Sequence, residues 1–299
     1  MKKILVLLVL SLSTAFADHE HGTNNKMTCF PQNNILRPDN GVYFNGISQE
    51  VFNSVLDRVN AVYQPIFSAQ GLSFVINRLW TDETINASAQ PDPMNQRRRI
   101  INMYGGLARH ETITMDGFYL VACHEAGHHL GGAPKIMGWA SNEGQSDYFA
   151  TTKCLRKIFL NDNNTSIIAG KTIPATLRAK CSDSFSAPND VAICIVITLA
   201  GYSVANLFKV LSRGTQEPSI DTPDTSTVMR TNDRHPATQC RLDTYFQGSI
   251  CKVGHDVDVD NSDQNKGMCT AQNGHTTGLR PRCWYKAPGT MALATNLGQ

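Results

Sequence analysis

Residues 123–129 read CHEAGHH, with His124 and His128 four positions apart and Glu125 beside the first. Side chains four apart share one face of a helix and are not neighbours on a strand. If the two imidazoles act together, the fold must therefore supply a helix here. Asp116 is placed to cap one, a helix is predicted over 117–130, and Gly131-Gly132 stop it. H-E-x-x-H on a helix directs both imidazoles at one zinc ion and leaves the glutamate as a base for water. His129 lies off that face and is expected to pack or to sit at the surface rather than ligate.

A catalytic zinc needs a third protein ligand and one open position. Glu143, just downstream on a second predicted helix, is the candidate third ligand. Asp147 stands one turn further on the same face, placed to accept the outer N–H of a ligating histidine. Far along the chain, Asp233-Arg234-His235-Pro236 and Arg241 offer a histidine and an arginine that can converge on the site and stabilise an oxyanion.

The rest of the chain predicts an α+β fold: a small sheet packed on the active-site helix, other helices completing the domain, and a loop-rich, disulfide-stapled tail. A helix capped by Ser48 carries Val51, Phe52, Val55, Leu56, Val59, Val62, Tyr63 and Ile66 on one face and ends at Gly71. Residues 72–80 read as a strand, 85–96 as a loop or short strand, and 97–109 as another strand that ends at the Gly105-Gly106 pair. The strand at 100–107 is expected to line the cleft and pair with an extended substrate. A helix should run over 142–160. The stretch 191–208 is apolar all round and reads as a buried core helix rather than a membrane span. Asn86-Ala87-Ser88 and Asn163-Asn164-Thr165 match the glycosylation acceptor pattern. DVDVDNSD, 256–263, has Asn261 and Gly267 where a calcium-binding EF-hand loop needs glycine and glutamate, so it reads as an acidic turn.

Residues 1–17 have the basic start, apolar core and Ala15-Phe16-Ala17 end of a secretory signal peptide, which implies a secreted or periplasmic protein. The expected division is 1–17 signal peptide, 18–250 metallopeptidase-like domain and 251–299 Cys/Gly-rich extension. Without Lys2 and Lys3 the basic count falls from 27 to 25, against 25 acidic residues. Such a neutral chain is not expected to bind nucleic acid, nor to insert stably in a membrane. Nine cysteines in an exported chain predict disulfides with one thiol left over. The local pairings are Cys240–Cys251 and Cys269–Cys283, with Cys123 the leftover thiol.

These features, taken in order, resemble the gluzincin metallopeptidases. Within them the likeness is to the group of the CAAX prenyl proteases, the HtpX heat-shock protease and the periplasmic barrel-assembly-enhancing protease. Ile85-Asn86-Ala87-Ser88-Ala89 is similar to the family's Asn-Ala-Phe-Ala segment, with Ser88 in place of Phe. Asn102-Met103-Tyr104-Gly105-Gly106-Leu107 is similar to the strand and glycine turn before the active helix. His124-Glu125-x-x-His128 is followed by Glu143-x-x-x-Asp147-x-x-Ala150, with Ser146 replacing the usual Ala, and then by His235-Pro236 with Arg241. The likeness covers roughly residues 48–245. It implies one zinc held by His124, His128 and Glu143, Glu125 as general base, and a role near the metal for His235 and Arg241. In some relatives this histidine reaches the open zinc position, so His235 can restrain activity as well as assist it. The spacing from His128 to Glu143 is short for the family, and the tail ending RPRCWYKAP has no counterpart, so substrate class does not carry over.

The leading expectation is a secreted zinc-dependent endopeptidase. It would use a zinc-activated water, with Glu125 as base, on peptide or unfolded protein substrates. The alternatives are a non-catalytic exported binding module with a structural metal, and a disulfide-stapled surface protein with no metal. Nothing in the sequence fixes an oligomeric state.

Overall fold

The computed structural model describes residues 25–33, 35–37 and 46–289. The expected signal peptide and residues 290–299 of the expected extension lie outside them.

In chain order the elements are β1 (Met27–Thr28), α1 (Gln49–Ala69), β2 (Ser73–Leu79), β3 (Ala87–Pro91), β4 (Arg98–Tyr104), α2 (Gly105–Ala108), α3 (Met115–Leu130) and α4 (Glu143–Phe149). A π-helical turn (Ala150–Cys154) leads into α5 (Leu155–Phe159). Then follow α6 (Asn164–Ile168), α7 (Ala175–Ser184), α8 (Pro188–Leu211), α9 (Thr238–Ile250) and a 3₁₀ turn (Ala271–Asn273). The fold is thus α+β, with a small sheet and many helices.

Helix α1 starts where Ser48 Oγ accepts from Val51 N at 3.2 Å, and it buries Phe52, Val55, Leu56, Val59, Tyr63 and Phe67. Gly71, at φ +69°, makes the left-handed turn into β2 that a β-carbon would resist. The sheet runs β1-β3-β4-β2, with β4 parallel to β2 and antiparallel to β3. Both sides of β4 are therefore paired, so it has no free edge for a substrate, contrary to the sequence expectation. The other side of β3 pairs with β1, antiparallel, Met27 opposite Ala89 and Thr28 opposite Ser88.

Helix α3 is the axis of the core. It packs against α1, β3, α4 and α8, and every residue from Asp116 to His129 is buried. Its cap is Thr114, whose Oγ1 accepts from Gly117 N at 3.1 Å; Asp116 lies in the first turn and pairs with Lys171 instead. The helix expected over 142–160 is present, but the π-helical turn widens its middle. Helix α8 is the expected core helix. Its most apolar window has a mean hydropathy of 2.1 and is 78% buried, packed by α3, α6, α7 and α9.

Cysteine pairing differs from the local guesses. The disulfides are Cys123–Cys154, Cys181–Cys194, Cys240–Cys283 and Cys251–Cys269, and the free thiol is Cys29. Cys240 and Cys251 stand at opposite ends of α9, about 16 Å apart along its axis, whereas a disulfide spans about 4.4–6.8 Å between Cα atoms. Cys123 is therefore not free but staples α3 to the π-helical turn. Four disulfides point to an oxidising, exported environment.

The chain after α9 buttresses α4. Cys283 ties it to Cys240, and Trp284 is fully buried where a β-carbon on Gly144 would collide with its indole. Trp284 Nε1 donates to Thr244 Oγ1 at 3.0 Å, and Arg280 Nε donates to Gln145 Oε1 at 2.7 Å. The 256–263 segment is a turn, with Asp260 Oδ1 accepting from Ser262 N and Asp263 N.

Candidate metal centre

Helix α3 supplies His124, Glu125 and His128, and α4 supplies Glu143 and Asp147. The two helices approach closely because position 127 is glycine: a β-carbon there would sit 3.0 Å from Ser146 O. Asn142 caps α4, its Oδ1 accepting from Gln145 N at 2.9 Å. Its Nδ2 donates to Asp233 Oδ1 at 2.9 Å, which ties the start of α4 to the loop that carries His235.

The outer nitrogens of both histidines are engaged. His124 Nδ1 lies 2.7 Å from Asp147 Oδ1. His128 Nδ1 lies 2.9 Å from Ser141 O and 3.0 Å from Ser146 Oγ. A proton held on each Nδ1 leaves the Nε2 lone pairs facing inward. There His124 Nε2 is 3.3 Å from Glu143 Oε2, and His128 Nε2 is 3.6 Å from Glu143 Oε1. Among the described residues, neither Nε2, neither Glu143 oxygen and neither Glu125 oxygen has a hydrogen-bond partner, and all are buried. Leaving a buried polar group unpaired costs about 1–3 kcal/mol, more if charged. A cation satisfies these donors together. Two ligands at about 2.0–2.1 Å on a tetrahedral ion stand about 3.3 Å apart, which matches the spacing of His124 and Glu143. His124, His128 and Glu143 thus form a buried group able to hold a metal ion, their ligand atoms within 4.8 Å of one another.

Burial pushes the Glu125 carboxyl up to about 8, opposed by positive charge on His124 and reinforced by the Glu143 carboxylate. A divalent cation beside it adds opposite charge and brings it back down. For Glu143, burial favours the acid form, but its interactions with the His235, His128 and His124 side chains outweigh it and hold the carboxyl well below the usual range.

Asp147 is fully buried and accepts on one oxygen from three groups: His124 Nδ1, Arg241 Nη2 at 2.6 Å and Tyr245 Oη at 3.0 Å. Burial works against its charge, and the Arg241 guanidinium outweighs that and holds its pKa below the ordinary value. Arg241 is itself 0% exposed and stacks over Phe208, 4.0 Å from the ring centre. It sits behind His124, not on its metal-facing side, so its place is that of a positioning residue rather than the expected oxyanion group. Tyr245 escaped sequence reading, although its spacing of four from Arg241 on one helix was a usable signal. His235 does reach the centre, with Nε2 3.5 Å from Glu143 Oε2. Asn86 is 6% exposed and hydrogen-bonded on both side-chain atoms, so its match to the glycosylation pattern presents no acceptor.

His129 packs as expected, its Nε2 donating to Ile100 O at 3.1 Å and its ring against Trp139. Burial pushes its pKa down to about 3, and that of His110 down to about 4. Both bind protons more weakly folded than unfolded, so their contribution is complete above pH 6.5 and fades as pH falls through 6.5 toward 4 and 3. Urea midpoints are expected to fall over that window. His129→Gln, which keeps a donor for Ile100 O, should flatten the fall by roughly 1–3 kcal/mol.

No protein-family model, curated protein or solved structure matches this chain.

Proposed function

We propose that the chain is an exported zinc-dependent endopeptidase with a zincin-like catalytic domain, in which His124, His128 and Glu143 hold one zinc ion. The observation that carries this reading is the set of inward-facing, unpartnered atoms of these three side chains with the unpartnered Glu125 carboxylate beside them. Two imidazole nitrogens and a carboxylate oxygen at tetrahedral spacing suit zinc and leave a fourth position for reactants. When bound, zinc supplies Lewis acidity to a carbonyl oxygen and to water.

The chain's own residues do the rest. Glu125 takes the proton of the attacking water and hands it to the departing amine nitrogen. His235 donates from Nε2 to the carbonyl oxygen as negative charge develops on it. Asp147, held by Arg241 and Tyr245, keeps the His124 proton on Nδ1 and so fixes which nitrogen faces inward. A purely structural metal site would leave Glu125 buried beside the ion without a use, which disfavours the binding-module alternative.

The test is hydrolysis of an unfolded protein by the purified chain, before and after removal of metal by a chelator and after zinc is restored. Cleavage that disappears with the chelator and returns with zinc supports the reading. Cleavage that persists in the chelator, or a zinc-loaded chain that cuts nothing, counts against it.

A further inference from the structure

The segment around β1 lies extended against the candidate metal centre and covers it. Strand β3 presents the edge, and β1 takes it through Met27 opposite Ala89 and Thr28 opposite Ser88. Cys29 N then donates to Ala87 O at 3.1 Å. Asn86 holds the next residue at both ends, Oδ1 accepting from Phe30 N at 3.1 Å and Nδ2 donating to Phe30 O at 3.0 Å.

The remaining anchors are His235, assigned to the chemistry, and Arg241, which positions Asp147 and His124. His235 Nε2 donates to Thr28 O at 2.8 Å while standing 3.5 Å from the metal-facing Glu143 Oε2. Arg241 Nη1 donates to the next carbonyl, Cys29 O, at 2.7 Å. Cys29 Sγ lies within 4.8 Å of ligand atoms of both His124 and Glu125. Cys29 and Phe30 are fully buried, and the Phe30 ring packs on Phe208 at 4.6 Å. A strand added only to complete a sheet needs neither His235 nor Arg241. Here consecutive carbonyls are held by those two residues, His235 itself standing beside Glu143, and the Cys29 side chain between them lies beside His124 and the general base. That is the approach geometry of a bound substrate.

We infer that Met27–Phe30 is bound in the chain's own cleft as its first substrate, and that Thr28–Cys29 is the bond the site cuts. The inference rests on the peptidase reading above. In the step, water's oxygen adds to the Thr28 carbonyl carbon while Glu125 takes a proton from it. The Thr28–Cys29 C–N bond breaks, and the proton passes to the Cys29 nitrogen. The products are a peptide ending in the Thr28 carboxylate and a chain beginning with the Cys29 amine. No oxidant or reductant is involved. The subsites follow from the occupant: a small buried pocket for the residue after the cut, here cysteine, and an aromatic wall at Phe208 for the one after that.

The experiment uses the exported chain, wild type and Glu125→Gln, prepared in chelator and then given zinc, across an about 100-fold range of protein concentration. Intact mass and N-terminal sequencing should show wild type converting to a chain that begins at Cys29. The rate should be independent of concentration, because an intramolecular cut does not wait for collision. Glu125→Gln should keep the bond, and His235→Ala should cut about 100-fold more slowly, with zinc content confirming that each variant retains its site. A readout independent of turnover precedes zinc addition: Cys29 in native Glu125→Gln should resist a maleimide reagent, and Asn86→Ala in the same background should label at least about 10-fold faster through local opening. Immediate labelling of native Glu125→Gln, or a cut at another bond, overturns the inference. A zinc-loaded wild type that cuts an unfolded protein but keeps Thr28–Cys29 overturns it while leaving the peptidase reading intact. A chain that binds no zinc overturns both.

Discussion

Replacing Glu125 by glutamine is expected to leave folding and zinc content unchanged and to lower peptide hydrolysis by about 10²–10⁴-fold, the usual contribution of a positioned proton-transfer group. Glutamine keeps the shape of a side chain that is 0% exposed on a helix buried on all sides. It removes the one function the surroundings assign to that group. Both Glu125 oxygens lack a partner, so the carboxylate contributes no hydrogen bond to the fold that glutamine would break. Burying this carboxyl without a partner is a cost to stability that glutamine does not increase, and the variant should be about as stable as wild type. A large loss of zinc in Glu125→Gln would show that Glu125 is a ligand, and unchanged hydrolysis would show that it is not the base. Either result contradicts the assigned role.

The second large effect concerns Asp147. Asp147→Ala is expected to destabilise the protein by about 3–5 kcal/mol, because it strands Arg241, a guanidinium with 0% exposure, without its counter-charge. The same change should weaken zinc binding by about 10–100-fold, because His124 loses the acceptor that fixes its proton on Nδ1. The two effects are separable. Pairing Asp147→Leu with Arg241→Met removes both charges, and stability should largely return as measured by urea midpoints. Zinc affinity should not return, since His124 still lacks its acceptor. Recovery of both in the double variant would mean that Asp147 acts on the fold alone.

Much of the centre is local, and local features were legible. The spacing of four between His124 and His128 demands a helix, and that helix forms. Asn142 caps α4, and Glu143 and Asp147 follow on one face as read. The Ser48 cap, the buried face of α1 and the apolar core helix α8 came from periodicity and capping chemistry. What escaped depends on contacts between distant segments. Disulfide partners are chosen by which helices pack, so Cys123 meets Cys154 and the free thiol is Cys29. Strand β1 is two residues long, too short for any alternating pattern, and its identity comes only from the β3 edge it meets. For the same reason β4 looked like a cleft-lining strand until its two neighbours were known. The roles of Asn86 and Arg241 became visible only once Phe30, Cys29 and Asp147 were brought beside them.

The central claim is that His124, His128 and Glu143 hold one zinc ion. The most direct measurement is elemental analysis of the purified chain after zinc loading and dialysis, for wild type and Glu143→Ala side by side, with circular dichroism to show that both are folded. The account predicts one zinc per folded wild-type chain and little or none in Glu143→Ala. A folded wild type that retains no zinc, or a Glu143→Ala protein that retains as much as wild type, would contradict it.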